Sequence, residues 1–95
     1  MSTPINLSIS GNTKYLCVVR DTLKNFLECH RVPDSLAGML VLCVDEACSN
    51  VIKYSYEGNC DEPIELSFHY CNGLFTAEIQ DYGKQCDSKK IKPRS

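Results

Sequence analysis

Two short groups of residues carry side chains that could do chemistry. Glu46, Asn50 and Lys53 stand four and three positions apart, a spacing that on a helix stacks a carboxylate, an amide and an ammonium along one face. A carboxylate so placed can take a proton from a hydroxyl or a water. The amide oxygen can ligand Mg²⁺, a hard ion that prefers oxygen and keeps several waters, and the ammonium can meet a phosphate. The same spacing also describes a solvated helix face with an acid near a base, and spacing alone does not separate the two. The second group is Asp81-Tyr82-Gly83. A carboxylate at the end of a strand can accept a hydrogen bond from an exocyclic amine such as that of adenine, and a glycine two residues on lets the backbone approach a flat base. An ordinary turn accounts for this pair equally well.

The elements that must position these groups follow from periodicity. Ile5, Leu7 and Ile9 alternate with polar residues, the pattern of a half-buried strand. Ser10-Gly11-Asn12-Thr13 supplies turn and capping chemistry, and Leu16, Val19, Leu23, Phe26 and Leu27 then form one stripe of a helix ending near His30. Val32-Pro33-Asp34 breaks that helix, and Asp34 or Ser35 can cap the next. The stripe of this second helix is read as Leu36, Leu40, Cys43, Ala47, Val51 and Tyr54 over about 20 residues, with Glu57-Gly58-Asn59 as the stop. Ile64, Leu66, Phe68 and Tyr70 alternate on a strand that runs into Asn72-Gly73, a strong hairpin signal because both positions tolerate positive φ. Phe75, Ala77 and Ile79 alternate on the returning strand, which delivers Asp81. The order strand, helix, helix, strand, hairpin, strand predicts an α+β two-layer sandwich, with helices covering one face of a mostly antiparallel sheet.

Composition narrows the function. Ninety-five residues form at most one domain, a single unit over 1–95. The net charge of −2 leaves no electrostatic footprint for nucleic acid. Charge is nevertheless uneven: Lys84, Lys89, Lys90, Lys92 and Arg94 face only Asp87 in residues 84–95, a basic tail that suits an acidic partner, the phosphates of a nucleotide, or a solvated terminus. Seven cysteines are an odd number, no C-x-x-C occurs, and Cys29-His30 and His69/Cys71 lack a matching second pair. Reduced thiols that behave as small buried hydrophobes are therefore expected, with neither zinc nor disulfides. Residues 1–10 lack the apolar segment of a secretory signal, and no stretch approaches the ~20 apolar residues of a membrane span. A cytoplasmic protein without a membrane partner is the expectation.

Taken together and in this order, the two groups resemble a known family. Val44-Asp45-Glu46-Ala47-Cys48-Ser49-Asn50-Val51-Ile52-Lys53-Tyr54-Ser55-Tyr56 resembles the N box, E-A-x-x-N-A-x-K-H-A-Y, of bacterial anti-sigma factor serine/threonine kinases. These belong to the ATPase superfamily that includes gyrase B, MutL and sensor histidine kinases. Ile79-Gln80-Asp81-Tyr82-Gly83 is similar to the family's first glycine box, and the first strand, the helix with Tyr15 and Arg20, and the Asn72-Gly73 hairpin also fit. The likeness extends over residues 5–88 and implies a histidine-kinase-like ATPase fold that binds ATP and Mg²⁺. It implies that Glu46 is the general base, Asn50 the Mg²⁺ ligand, Lys53 a phosphate-facing base, Asp81 the adenine-reading carboxylate and Gly83 the point of close approach. The partners it implies are a sigma factor and a small antagonist protein that receives the phosphoryl group.

Departures qualify this picture. Tyr54-Ser55 stand where His-Ala is usual, and Lys84-Gln85 where a small residue or glycine is common. Family members continue beyond the position of Ser95 into an ATP lid, a second glycine-rich box and further strands. A chain ending there is expected to bind ATP weakly, since backbone donors at a helix N-terminus are the usual cradle for phosphates. It is also expected to expose a sheet edge that favours a homodimer. A protein-binding module without catalysis, or a non-kinase ATPase of the same superfamily, are the alternatives.

Overall fold

The computed structural model describes residues 4–83; the basic tail of residues 84–95, with Cys86, lies outside the described residues. Strand β1 (Ile5–Ser10) leads through a 3-10 turn (Thr13–Tyr15) into α1 (Leu16–Cys29) and then α2 (Asp34–Asn50). A π-helical segment (Val51–Ser55) extends α2, and β2 (Pro63–Cys71) and β3 (Leu74–Gln80) complete the order. The sheet is antiparallel throughout, ordered β1-β2-β3, with Leu7, Leu66 and Ile79 in one cross-strand row. Both helices contribute to the core on one face of this sheet, an α+β two-layer arrangement as the periodicity predicts. The other face is polar, with Asn6, Ser67 and Glu78 in one row and Ser8, Glu65 and Gln80 in the next.

Local chemistry sets most boundaries. The side-chain oxygen of Asn12 accepts from the Lys14 amide at 3.0 Å and caps the 3-10 turn. Helix α1 buries its whole expected stripe, Leu16, Val19, Leu23, Phe26 and Leu27. It ends in a Schellman closure: Val32 N–H donates to Leu27 O and Arg31 N–H to Glu28 O, with Arg31 at φ 59° in the position glycine usually takes. Asn72 and Gly73 have φ of 54° and 79°, the two positive values a two-residue hairpin requires. Past the π segment, Glu57 and Gly58 both take positive φ, and Gly58 N–H closes onto Ile52 O.

The second helix departs from expectation in two ways. Its buried residues are Ala37, Val44, Cys48 and then Ile52, whereas Leu36, Cys43 and Tyr54 of the expected stripe are exposed and Leu40, Ala47 and Val51 only half-buried. Apolar residues occupy almost every position from Leu36 to Val44, so periodicity cannot fix the rotation, and contact with α1 decides it. The cap is Pro33 with no side-chain bond, its carbonyl accepting from the Ala37 amide. Asp34 instead sits in the first turn, where its charge suits the helix dipole. Within the continuous run Asp34–Ser55, 22 residues long, an 18-residue window reaches a mean hydropathy of 1.5, enough by length and composition alone to cross a membrane, a test that the core helix of a soluble protein also passes. Exposed Leu36, Met39 and Leu42 raise its hydropathy while Asp45, Glu46 and Lys53 interrupt it.

The thiols also differ from expectation. Cys48 is buried and Cys60 and Cys71 are partly so, but Cys17, Cys29 and Cys43 are exposed. Helix α1 places Cys17 and Cys29 off its buried stripe, so they are not core hydrophobes.

Candidate functional site

The first group of candidate residues lies along the outer side of α2 and its extension. Glu46, Asn50 and Lys53 are all exposed, while Val44, Cys48 and Ile52 turn inward between them. Burial thus anchors the helix through every fourth residue and leaves Glu46, Asn50 and Lys53 to solvent. Arg20 of α1 donates to Asp45 at 2.9 Å, tying the two helices together one residue before Glu46. The Lys53 ammonium rests over the Tyr54 ring, 5.3 Å from its centroid. Such an exposed contact is worth about 0.5–1 kcal/mol, small enough for a phosphate to compete with it. Tyr54 stands where the motif that this run resembles has histidine.

Asp81 follows the last residue of β3 and folds back on itself. Its Oδ1 accepts from the Gly83 amide at 3.0 Å, and Gly83 has φ 67°, a conformation that favours glycine. One carboxylate oxygen is thereby fixed by the local turn, and a carboxylate carries a second acceptor oxygen. Among the described residues, its chain neighbours aside, no atom lies within 4 Å of where a Cβ on Gly83 would sit.

The link between the two groups is Tyr56, the last residue of the N-box run. Its side chain is 1% exposed. Its hydroxyl donates to Pro63 O at 2.5 Å and accepts from the Tyr82 amide at 3.1 Å. Tyr82 in turn donates its own hydroxyl to Glu65 Oε1 at 2.7 Å. Burial is the main cause that pushes the Tyr56 phenol above its ordinary range, and the nearby Asp81 carboxylate adds to it. Tyr56 therefore holds the start of β2 and the end of β3 against the end of the helical run. Spacing could not assign it this role, because a tyrosine after Lys53-Tyr54-Ser55 reads as the fraying end of a helix.

The structure thus joins Asp81 to the C-terminal end of the helical run, three residues past Lys53. Glu46 lies ten residues before Tyr56, about 15 Å along a helix axis at 1.5 Å per residue. Among the described residues, no hydrogen bond or ion pair links Glu46 or Asn50 to Asp81. The 640 Å³ depression on the polar face of the sheet, lined by Asn6, Ser8, Glu65, Ser67, Glu78 and Gln80 among others, contains none of the candidate residues. Chemically, the donor set along α2 is hard oxygen. Among the described residues no cluster of three His, Cys, Asp or Glu side chains could hold a metal. One amide with a neighbouring carboxylate fits Mg²⁺ only where substrate phosphates and waters complete the shell.

A family model described as a histidine kinase-like ATPase domain matches residues 9–95, a span that takes in every candidate residue. No curated protein matches the chain.

Proposed function

From a chain that belongs to the histidine kinase-like ATPase domain family, we propose a nucleotide site running along α2, with adenine at Asp81 and the phosphates towards Asn50 and Glu46. The observation that carries this reading is the Tyr56 junction, which places the Asp81 turn at one end of a helix whose exposed side carries Lys53, Asn50 and Glu46. In this reading Asp81 accepts from the exocyclic amine of adenine, and Gly83 leaves room for the ring. Lys53 leaves Tyr54 to meet a phosphate. Asn50, together with the phosphates, would hold Mg²⁺, which when bound would supply charge neutralisation at the transferring group.

The finer reading is a serine/threonine kinase of the anti-sigma type. Glu46 takes the proton of the acceptor hydroxyl as its oxygen bonds to the terminal phosphorus, and the bond from that phosphorus to the ADP oxygen breaks. The acceptor is a hydroxyl on a small antagonist protein, and the partner under control is a sigma factor. The likeness of Val44–Tyr56 to the N box of those kinases supports this subtype. Exposed Leu36, Met39 and Leu42 on α2 favour a second reading, a module that holds partner proteins without catalysis, since apolar surface of that kind marks contact sites.

Calorimetry of Mg·ATP against the chain and its variants tests the proposal. Asp81→Asn is expected to weaken ATP binding about 10-fold or more, the loss of one charge-assisted hydrogen bond. Asn50→Ala is expected to remove the Mg²⁺ dependence of binding. Glu46→Gln is expected to leave binding intact and lower phosphoryl transfer about 10²–10⁴-fold. ATP binding that none of the three changes would refute the site.

A further inference from the structure

Four segments meet on one side chain, and the meeting point borders the base-recognition end of the site. The Tyr56 ring packs on Gly11 in the β1–α1 turn, so closely that a Cβ there would lie 2.6 Å from Cδ2 and 2.8 Å from Cε2. Its hydroxyl uses both its donor and an acceptor position, on Pro63 O at the start of β2 and on the Tyr82 amide after β3. Gly11 is further tied by its amide to Glu62 O at 2.8 Å and by its carbonyl to the Cys60 amide at 2.8 Å. The Thr13 amide donates to Asn59 Oδ1 at 3.0 Å in the same region. The ring is thus held against Gly11, and its hydroxyl is tied to two separate segments.

Asp81 stands between Gln80, the last residue of β3, and Tyr82, whose amide Tyr56 holds. The bond at Tyr82 fixes the peptide that carries the Asp81 carbonyl carbon, and the bond from Gly83 fixes the carboxylate on that backbone. We propose that Tyr56 is a positioning residue for base recognition: through Tyr82 it sets where the Asp81 carboxylate stands, and so sets the preference for adenine over guanine. The inference rests on the reading of Asp81 given above. Base preference is the property to measure because adenine offers an amine donor where guanine offers a carbonyl acceptor. A carboxylate accepts from the first and repels the second. Phosphate contacts are common to both nucleotides, so an unfolding defect weakens ATP and GTP alike, whereas a displaced carboxylate changes their ratio.

The test is Tyr56→Phe in the full chain, with Mg·ATP and Mg·GTP titrated calorimetrically well below the melting temperature. Phenylalanine keeps the ring on Gly11 and removes only the hydroxyl. ATP binding is expected to weaken about 10-fold with GTP binding changed less than about 2-fold, a 10-fold loss of preference. Hydrogen exchange at the Tyr82 amide is expected to quicken at least about 10-fold in the same variant. Equal weakening of both nucleotides, or an unchanged ratio, overturns the inference. An unchanged ratio in Tyr56→Phe beside its loss in Asp81→Asn overturns the role of Tyr56 alone. A chain that shows no preference for ATP, and is indifferent to Asp81→Asn, overturns the reading of Asp81 and the inference with it.

Discussion

Replacing Gly11 with alanine isolates the contact on which the candidate site is built. The added methyl carbon would lie 2.6 Å and 2.8 Å from two ring carbons of Tyr56, with Glu62 O at 3.1 Å. Carbon atoms sit comfortably at about 3.5–4.0 Å, so the ring must retreat by about 1 Å. It has little freedom to do so, being 1% exposed and tied at its hydroxyl to both Pro63 and Tyr82. Overpacking of this kind costs about 1–3 kcal/mol, while the stiffer unfolded chain returns about 0.4–1 kcal/mol. A net loss of about 1–2 kcal/mol follows, and in a domain of this size each kcal/mol lowers Tm by about 4–8 °C. Gly38→Ala is the matched control: it lies inside α2 with nothing within 4 Å, so better helix propensity is expected to raise stability by about 0.8–1 kcal/mol. Thermal and urea melts of both variants give the comparison. In a Tyr56→Leu background the cost of Gly11→Ala is expected to shrink, because the opposing ring is gone. A Gly11→Ala chain that melts at or above the unsubstituted protein would refute the reasoning.

Other expected outcomes concern the elements that carry the site. Burial, with the Asp45 carboxylate beside it, pushes the Cys48 thiol from an ordinary 9.0 up to about 11. The unfolded chain releases that proton first, so stability is whole below about pH 8.5 and drains as pH rises toward 11, by at most about 1.4 kcal/mol per pH unit. Urea midpoints between pH 7 and 10.5 should show this slope, flattened in Cys48→Ala. At neutral pH a thiol reagent should modify exposed Cys17, Cys29 and Cys43 before Cys48. A double-mutant cycle on Arg20 and Asp45, whose side chains are 45% and 23% exposed, should give a coupling of about 0.2–1 kcal/mol that falls at 1 M salt. Gly73→Ala, forcing a side chain onto φ 79°, should cost about 1–2 kcal/mol in the same melts.

The strands and the first helix are legible in the sequence because their patterns admit one orientation. Ile5, Leu7 and Ile9, or Ile64, Leu66 and Phe68, alternate with polar residues, so a shift by one position would bury serine or glutamate. In α1 the polar residues Arg20, Asp21, Lys24 and Asn25 leave only one apolar stripe. Helix α2 has no such constraint. From Leu36 to Val44 every residue but Gly38 is apolar, and the structure buries Ala37 while leaving Leu42 exposed. A small side chain at a buried position lets packed elements approach closely, and that preference belongs to the packing rather than to the helix's own pattern. The end of α1 was equally hidden, since nothing marks Arg31 as a residue that will take positive φ.

For the site, sequence reasoning reaches the residues with chemistry and misses those that hold them. Glu46, Asn50, Lys53 and Asp81 announce themselves by type and order. Tyr56 and Gly11 lie 45 positions apart, and only the packed structure shows that the ring of one needs the missing side chain of the other. The same separation explains why the pair matters. A turn that ends the first strand, a helix that carries the polar row and a strand that delivers Asp81 share no sequence neighbourhood. One buried phenol nevertheless touches or bonds all three. A displacement of that ring should therefore be felt at Asp81 before it is felt at Glu46, since Asp81 is adjacent to a residue the hydroxyl binds, whereas Glu46 is held by its own helix. Base selectivity should consequently prove more sensitive than phosphoryl transfer to changes at Gly11 and Tyr56.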